Sequence, residues 1–140
     1  MSDDSGDETP TLPRPTPPVT PDTESFWEAT AEGRLLLGHC PACDLHFFYP
    51  RARCPDCLDE ADHVESEGVG EVYSCTVVRQ AAGEYAEATP FVLAYVELAE
   101  GPRLMTNVVG TDPESVTVGQ EVAVCFHEAG EYAVPRFRPR

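Results

Sequence analysis

The chain has 140 residues, of which 25 are Asp or Glu, nine are Arg and none is Lys, so its formal net charge is -16. This length allows one compact domain or two small modules and excludes an enzyme that encloses a large substrate cavity of its own. An acidic chain without lysine is typical of a cytoplasm of multimolar salt, where charge repulsion is screened over about 3 Å at 1 M. We therefore interpret the acidity as an adaptation to solvent that says little about partners, with an ordinary acidic protein as the alternative.

The sequence predicts a soluble, cytoplasmic protein. It has no run of about 18 apolar residues, and residues 1–25 lack the basic and then apolar pattern of a leader peptide. A reducing compartment also keeps cysteine thiols free to bind metal.

Residues 1–21 are the first predicted segment, an acidic tail that holds six of the 14 prolines. Leu12 and Val19 are its only larger aliphatic side chains, so the tail cannot bury enough surface to offset the entropy cost of ordering it. We expect residues 1–21 to be disordered.

A helix is predicted over residues 22–34. Pro21 suits entry into the first turn, acidic side chains favour the positive N-terminal end, and Gly33 ends the helix. A helix this short is marginal alone, so Phe26 and Trp27 must pack on another surface. That surface is either this chain's own ribbon or a partner protein.

Two C-x2-C turns, Cys40-Pro-Ala-Cys43 and Cys54-Pro-Asp-Cys57, are separated by ten residues and give the strongest chemical signal in the sequence. Each turn presents two thiolates on one side of a tight loop, and two turns complete tetrahedral coordination of one ion. Four thiolates leave no open coordination position, so the sequence predicts a structural zinc ion rather than a catalytic one. Disulfides are the alternative, but the lack of a leader favours metal.

Iron is the other candidate metal, because a rubredoxin-type redox centre has the same four thiolates and the same geometry. The residues after the second and fourth ligands are Asp44 and Leu58, where redox rubredoxins usually have Gly. This difference favours zinc, although the spacing by itself is compatible with both metals.

Residues 35–62 are predicted to form a zinc ribbon. Residues 35–37 are three leucines before the first cysteine turn, and residues 47–49 form a short aromatic strand between the turns. Such a segment has too small a core to fold alone, so zinc binding, at about 10 to 16 kcal/mol, would supply the missing stability.

Residues 63–140 are predicted to form a five-stranded barrel of the OB type, because glycine-marked turns separate five evenly spaced strand-like runs. The alternative, a seven-strand sandwich, would need more strands than the five runs found here. Pro135 predicts an edge or a bulge in the last run. The fold class is therefore mainly β, with a short N-terminal helix, a rubredoxin-like zinc ribbon and a C-terminal OB-fold barrel. The five runs are residues 69–79, 91–98, 103–109, 121–127 and 132–137.

The order of these motifs resembles a known family over residues 21–139. The motifs are Phe26-Trp27, Gly33-Arg34-Leu35, the two cysteine turns, Pro50-Arg51 and Gly70-x-Val72-Tyr73-Ser74 at the start of the barrel. Together they resemble the acyl-CoA-associated OB-fold proteins with a rubredoxin-like zinc ribbon, long catalogued as a domain of unknown function. All four ligand positions carry over, and the chain departs from the family at Asp44, where many relatives have Gly.

The resemblance implies a non-catalytic accessory subunit, which binds a thiolase-like acyl-CoA enzyme and helps to hold or channel acyl-CoA. The implied partner is a thiolase of the acetoacetyl-CoA or ketothiolase type, with hydroxymethylglutaryl-CoA synthase as a second candidate. Phe26, Trp27 and Phe48 are the predicted aromatic anchors for the partner, and Arg51 and Arg53 are predicted to contact it or the nucleotide end of CoA.

Phe47 and Tyr49 flank Phe48 in the sequence and should point to the other side of a strand. We therefore expect both to pack on the ribbon.

Catalysis by this chain is disfavoured. Cys75 and Cys125 lie in apolar strand runs, where cysteine behaves as a small buried side chain. The four histidines suggest no arrangement with Ser or Cys that would create a nucleophile.

Single-stranded nucleic-acid binding is the alternative function, because zinc ribbons and OB barrels both serve it. Phosphate binding needs a cationic track. Without residues 1–21 the chain has 21 acids and eight Arg, or a charge of -13. Its Arg clusters, Arg51 with Arg53 and Arg136 with Arg138 and Arg140, are short and neighbour acids, and we interpret them as solvated or partner-contacting faces. The charge therefore disfavours nucleic acid as a partner.

Overall fold

Eight strands and one α-helix follow one another within residues 12–140, the part of the chain that the computed structural model describes. The helix is α1 (Glu24–Ala31). The first three strands form a small antiparallel sheet in the order β2-β1-β3: β1 (Leu36–Cys40), β2 (Leu45–Phe47) and β3 (Asp62–Glu65). The other five close a barrel in the order β4-β5-β6-β8-β7: β4 (Val69–Val78), β5 (Phe91–Leu98), β6 (Arg103–Val108), β7 (Glu121–Ala129) and β8 (Tyr132–Pro139).

The closed five-stranded barrel confirms the predicted fold class, and each predicted run matches a strand to within two residues at either end. The barrel closes where β4 pairs with β7 over residues 69–71 and where β6 runs parallel to β8 at Val108 and Phe137. Pro135, for which an edge or bulge was predicted, lies where β8 pairs only with β7. Its carbonyl oxygen accepts a hydrogen bond from the Thr106 hydroxyl at 3.2 Å.

The other helices are short 3-10 helices at Gly83–Ala88 and Pro113–Ser115. Within residues 12–140, every helix falls short of the length and apolar character that crossing a membrane would require.

One hydrophobic core runs through the helix, the ribbon sheet and the barrel. Strict alternation in β5 and β6 points every second side chain into the barrel, as the period of a strand requires. The core cluster joins Phe26 of α1 and Leu37 of β1 to Val72 and Phe137 of the barrel. The ribbon and the barrel are therefore coupled energetically through shared apolar contacts.

Helix α1 connects the ribbon to the barrel. The Thr30 hydroxyl accepts a hydrogen bond from the Ala133 amide of β8 at 3.2 Å and donates one to the Trp27 carbonyl oxygen at 2.6 Å. Gly33 has a φ of 76°, so it adopts the left-handed conformation that ends the helix and turns the chain towards β1. The helix thus lies inside the predicted range of residues 22–34.

Residues 12–20 differ from the expectation of a disordered tail. Leu12 is buried in a second apolar cluster with Ala88, Val109 and Cys125, and the Arg136 Nη2 atom donates a 2.6 Å hydrogen bond to the Pro13 carbonyl oxygen. Composition describes only what a segment can bury within itself, and it does not register an apolar groove on a distant barrel. The rest of the predicted tail, residues 1–11, lies outside the described residues.

Arg136 is buried, although the sequence placed it in a short cationic cluster with Arg138 and Arg140 that was interpreted as a solvated or partner-contacting face. Its Nη1 atom lies 3.1 Å from the Nδ1 atom of His127. Burial lowers the pKa of the Arg136 guanidinium. Of the three arginines in this cluster, Arg138 and Arg140 therefore remain as candidates for a surface contact.

The connection between ribbon and barrel is fixed by Glu100. Its carboxylate accepts hydrogen bonds from the Ser66 hydroxyl at 2.8 Å and from the Glu67 amide at 2.9 Å. Strand β3 lies before this connection and pairs with β1, whereas residues from 63 onward were predicted to belong to the barrel. Val64 is the only apolar residue of β3, so its sequence has no alternating pattern to indicate a strand.

Three carboxylates face one another on the outside of the barrel, because Glu71 of β4 lies directly opposite both Glu97 of β5 and Glu121 of β7. Like charges in opposed positions destabilise a sheet, by roughly 0.2 to 1 kcal/mol per pair. We expect Glu71→Gln to raise the free energy of unfolding by up to about 1 kcal/mol at low salt. The gain should vanish near 2 M KCl, because screening then acts within about 3 Å.

Urea unfolding at both salt concentrations, followed by far-ultraviolet circular dichroism, measures this effect. Glu131→Gln, in the turn between β7 and β8, is the matched control and should change little at either salt. A gain from Glu71→Gln that is the same at low and high salt would contradict the assignment to charge repulsion.

Candidate metal centre

The two cysteine turns lie at the same end of the ribbon sheet. The first follows Cys40 at the end of β1 and returns the chain into β2. The second is closed by hydrogen bonds from the Cys54 amide to the Asp59 carbonyl oxygen at 2.8 Å and from the Leu58 amide to the Cys54 carbonyl oxygen at 3.0 Å. Both turns therefore hold their two cysteines in fixed positions without help from the barrel.

The four sulfur atoms of Cys40, Cys43, Cys54 and Cys57 lie within 4.8 Å of one another. The Sγ atoms of Cys40 and Cys57 are 3.6 Å apart. A tetrahedral ion with metal–sulfur bonds of about 2.3 Å separates its ligand atoms by about 3.8 Å. The sulfur positions thus fit one tetrahedrally coordinated metal ion.

Backbone amides point at the sulfur atoms of the buried cysteines. The Cys43 amide lies 3.4 Å from the Cys40 Sγ atom, and the Asp56 and Cys57 amides lie 3.3 Å and 3.5 Å from the Cys54 Sγ atom. The Cys57 amide is the main cause that lowers the pKa of the Cys54 thiol to about 7. Such donors stabilise a thiolate, which is the form that binds metal.

The crowding of four sulfur atoms has the opposite effect on Cys43. Its hydrogen bond to the Cys57 side chain is the main cause that raises the pKa of the Cys43 thiol to about 12. Four thiolates at this separation repel one another unless a cation lies between them. A bound cation would remove this repulsion, and its binding would release the proton of the Cys43 thiol.

Asp44 and Leu58 both adopt the left-handed conformation, with φ of 53° and 69°. The turns thus have the backbone conformation that glycine favours, although neither residue is glycine, and for a side chain such as leucine it costs roughly 1 to 2 kcal/mol. Asp44 departs from the family pattern without displacing a ligand. Its carboxylate lies 3.1 Å from the Nε2 atom of His39.

The predicted anchor Phe26 is a core residue. Its ring is completely buried and makes edge-to-face contacts with Trp27 at 4.9 Å and Phe48 at 5.3 Å between ring centroids. A buried ring cannot contact a partner, so the prediction for Phe26 is wrong in this conformation. Trp27 and Phe48 are half-buried at the edge of the same cluster.

Tyr49 packs on the ribbon, where it stacks on Phe48 with ring centroids 4.0 Å apart, yet its side chain stays 44% exposed. Strand β2 ends at Phe47, so the alternation of a strand does not extend to Tyr49. Phe47 itself is buried and covers Gly38, where an added Cβ atom would collide with the Phe47 ring. Sequence reasoning therefore missed Tyr49 as an accessible aromatic side chain.

Arg51 and Arg53 are exposed and border an open cleft of about 430 Å³ on the ribbon. The cleft combines two guanidinium groups with the half-exposed ring of Tyr49. The sequence predicted a shared role for the two arginines but gave no sign that Asp22 and Thr23, just before α1, line the same cleft. The lining residues are Asp22, Thr23, Tyr49, Pro50, Arg51, Ala52 and Arg53.

Ser25 and His63 form a pair that the sequence did not reveal, with the Ser25 Oγ atom 3.2 Å from the His63 Nδ1 atom. His63 is exposed, and within residues 12–140 no carboxylate forms an ion pair with it. A serine nucleophile needs a histidine base that a third group orients. This pair lacks that third group.

Family models for two domains match the chain. The ChsH2 rubredoxin-like zinc ribbon domain matches residues 27–63, and the ChsH2 C-terminal OB-fold domain matches residues 63–127. A "DUF35 domain-containing scaffold protein" from Methanothermobacter thermautotrophicus is 33% identical over 113 residues, which are 79% of this chain and 85% of that protein.

Longer proteins and a solved structure are also similar. A "Probable enoyl-CoA hydratase alpha subunit" from Thermomonospora curvata is 38% identical over 90% of this chain, which spans only 40% of that protein's length. The solved "Ltp2-ChsH2(DUF35) aldolase" has a chain that superposes with a TM-score of 0.78 at 38% identity, covering 88% of this chain and 98% of that one. These matches confirm the resemblance in the sequence, and the chain belongs to the DUF35 family, with a ChsH2-type zinc ribbon followed by a ChsH2-type OB-fold domain.

Proposed function

We propose that the chain is a non-catalytic accessory subunit, which binds a thiolase-like acyl-CoA enzyme and helps to hold or channel its acyl-CoA. The observation that carries the proposal is the likeness to the solved aldolase, whose name joins a DUF35 chain to a second protein, Ltp2. The archaeal relatives named scaffold proteins support the same role. The partner we propose is a thiolase of the acetoacetyl-CoA or ketothiolase type, with hydroxymethylglutaryl-CoA synthase as a second candidate.

The geometry of the ribbon supports a structural metal in this role. Cys40, Cys43, Cys54 and Cys57 supply four sulfur ligands, which leave no position for a substrate or an activated water molecule. Zinc is the proposed ion, since it suits a closed tetrathiolate site and has no redox chemistry. An iron tetrathiolate would colour the protein, so the visible spectrum and elemental analysis separate the two metals.

The cleft beside Tyr49 is the proposed contact for the nucleotide end of CoA. Arg51 and Arg53 can make charge-assisted hydrogen bonds to its phosphates, and the Tyr49 ring offers a face for adenine stacking. Trp27 and Phe48 lie in the same aromatic cluster, where they are the proposed anchors for the enzyme subunit.

Copurification tests the proposal. The tagged chain, purified from its own cells at high salt, should bring with it a larger thiolase-like subunit that mass spectrometry identifies. The isolated chain should not convert acyl-CoA. Recovery of nucleic acid in place of an enzyme, or turnover of acyl-CoA by the chain alone, would contradict the proposed function.

The cleft is tested in the purified complex. Arg51→Gln combined with Arg53→Gln should weaken acetyl-CoA binding by about tenfold, since charge-assisted hydrogen bonds to phosphate are lost. Arg79→Gln is the matched control, because Arg79 is an exposed barrel residue whose side chain pairs with Glu114. Isothermal titration calorimetry measures the affinities. Equal binding of acetyl-CoA by all variants would contradict the assignment of the cleft as a CoA site.

A further inference from the structure

The outer surface of β4, β5 and β6 carries a cluster of exposed apolar side chains, which we call the β4–β6 face. It consists of Tyr73, Leu93, Tyr95 and Met105, which are 48%, 36%, 45% and 60% exposed. These four are half of the eight large apolar side chains that are exposed among residues 12–140. Their concentration on one sheet surface sets it apart from scattered exposed residues, which are normal in proteins.

The β4–β6 face departs from the usual pattern of a barrel strand. The inward positions of β5 are all apolar and those of β6 are Leu104, Thr106 and Val108, so the outward positions of both strands should be polar. Here Leu93 and Tyr95 point outward, and Tyr95 lies directly opposite Met105 on the next strand. A shallow groove of about 220 Å³ between these side chains extends to β4, where Ser74, Cys75 and Thr76 line it.

The charges around the β4–β6 face lie together at one end, where Arg103 of β6 is directly opposite Glu97 of β5 and its Nε atom lies 3.4 Å from the Glu97 carboxylate. The guanidinium carbon of Arg103 also lies 3.8 Å from the centre of the Tyr73 ring. The row of Glu71, Glu97 and Glu121 borders the same side of the sheet. The apolar centre itself carries no carboxylate, in a chain with 25 acids. A centre that holds Tyr and Met side chains and no acids has the composition that distinguishes the centre of a protein interface.

We propose that the β4–β6 face docks on the larger acyl-CoA enzyme subunit, an inference that rests on the proposed function. The complementary surface of the enzyme has an apolar centre opposite Tyr95 and Met105. It also has Arg or Lys side chains opposite the carboxylate row. Aromatic residues and methionine that enter a partner's apolar pocket carry a large share of binding energy, and the opposed charges fix the orientation of docking.

Two other occupants fit the charges less well. Two copies of this chain, each with a formal net charge of -16, repel each other when the same acidic row must approach itself. The corresponding strands of OB barrels often bind oligonucleotides, and tyrosines can stack on bases. Phosphates, however, require a cationic track, and this face offers Arg103 beside three glutamates.

The test measures binding of the purified enzyme subunit that copurifies with the wild-type chain. Tyr95→Ser combined with Met105→Ser should weaken this binding by at least about tenfold, because both side chains are exposed and neither supports the core. Met105→Lys alone should also weaken it, by placing a cation in the apolar centre. Leu45→Ser is the matched control, an exposed leucine on the ribbon sheet whose loss should leave the affinity unchanged. Circular dichroism and the Tm of each variant verify folding.

The rate of association with the enzyme subunit tests the proposed charge complementarity separately. Glu71→Gln combined with Glu121→Gln should reduce the association rate several-fold at low salt, and the difference should fade near 1 M salt, where screening removes long-range steering. An unchanged rate would overturn the basic surface assigned to the enzyme.

The outcomes separate the inference from the proposed function. If the wild type and the Tyr95→Ser, Met105→Ser variant bind the enzyme subunit equally, the docking face is wrong and the accessory role stands. A wild type that binds no acyl-CoA enzyme overturns both. Binding of a fluorescent oligothymidine that Tyr95→Ser abolishes would assign the face to nucleic acid, and a dimer in analytical ultracentrifugation that the variant dissociates would assign it to a second copy.

Discussion

Replacing Cys54 with Ser should abolish metal binding and unfold the ribbon sheet. The Cys54 sulfur is buried and receives two backbone amides, so a hydroxyl in its place removes the ligand that the turn holds most firmly. Structural zinc contributes about 10 to 16 kcal/mol in zinc-finger peptides, whereas a whole domain is typically stable by about 5 to 15 kcal/mol. A ribbon of three short strands therefore cannot stay folded once this contribution to its stability is lost.

Two measurements follow the Cys54→Ser variant. Elemental analysis should fall from one metal ion per chain to none, and hydrogen exchange should show that the amides of β1, β2 and β3 lose their protection. The Tm should also fall, since Leu37 of the ribbon belongs to the barrel's core cluster. Cys75→Ser is the matched control, because Cys75 is half-buried on the barrel outside the sulfur cluster and should leave metal content unchanged. A metal-free Cys54→Ser protein with a protected ribbon would show that the ion is dispensable.

The cysteine site and the barrel were predictable because their signals are local. Two C-x2-C turns specify their own loop geometry, so the spacing of four residues along the chain already implies four converging sulfur atoms. The barrel strands are marked by glycines between apolar runs, and the strand ends follow from these turns to within two residues. Neither inference depends on knowing which distant segments meet.

The remaining features depend on long-range contacts that no local pattern contains. Leu12 is ordered because the barrel offers it a groove, and Arg136 is buried where the Pro13 carbonyl oxygen can accept its hydrogen bond. The role of Phe26 was misassigned for the same reason. An aromatic pair on a short helix can either pack in the chain's own core or bind a partner, and the local sequence does not distinguish the two. The exposure of Tyr49 depends on where β2 ends, which lies within the usual uncertainty of element boundaries.

Phe26→Ala should lower the free energy of unfolding by about 3 to 5 kcal/mol, the cost of removing a fully buried phenylalanine and leaving a cavity. The ring lies where helix, ribbon and barrel share one core, and it contacts Trp27, Phe48 and Tyr49 edge to face. Phe26→Leu leaves a smaller cavity and should lower the free energy of unfolding by less than Phe26→Ala does. Urea unfolding followed by circular dichroism measures both variants.

The same substitution separates two views of how the chain is organised. If ribbon and barrel form one cooperative unit, Phe26→Ala shifts a single transition to lower urea, and hydrogen exchange rises together in β1 and β8. If they fold separately, the ribbon loses protection at a lower urea concentration than the barrel, and a single free energy of unfolding no longer describes the chain. Tyr95→Ala, an exposed aromatic on the barrel, is the control and should change stability by no more than about 0.5 kcal/mol. A Phe26→Ala variant as stable as this control would mean that the aromatic cluster does not join the two parts, and that Trp27 and Phe48 are not held in place by their shared neighbour.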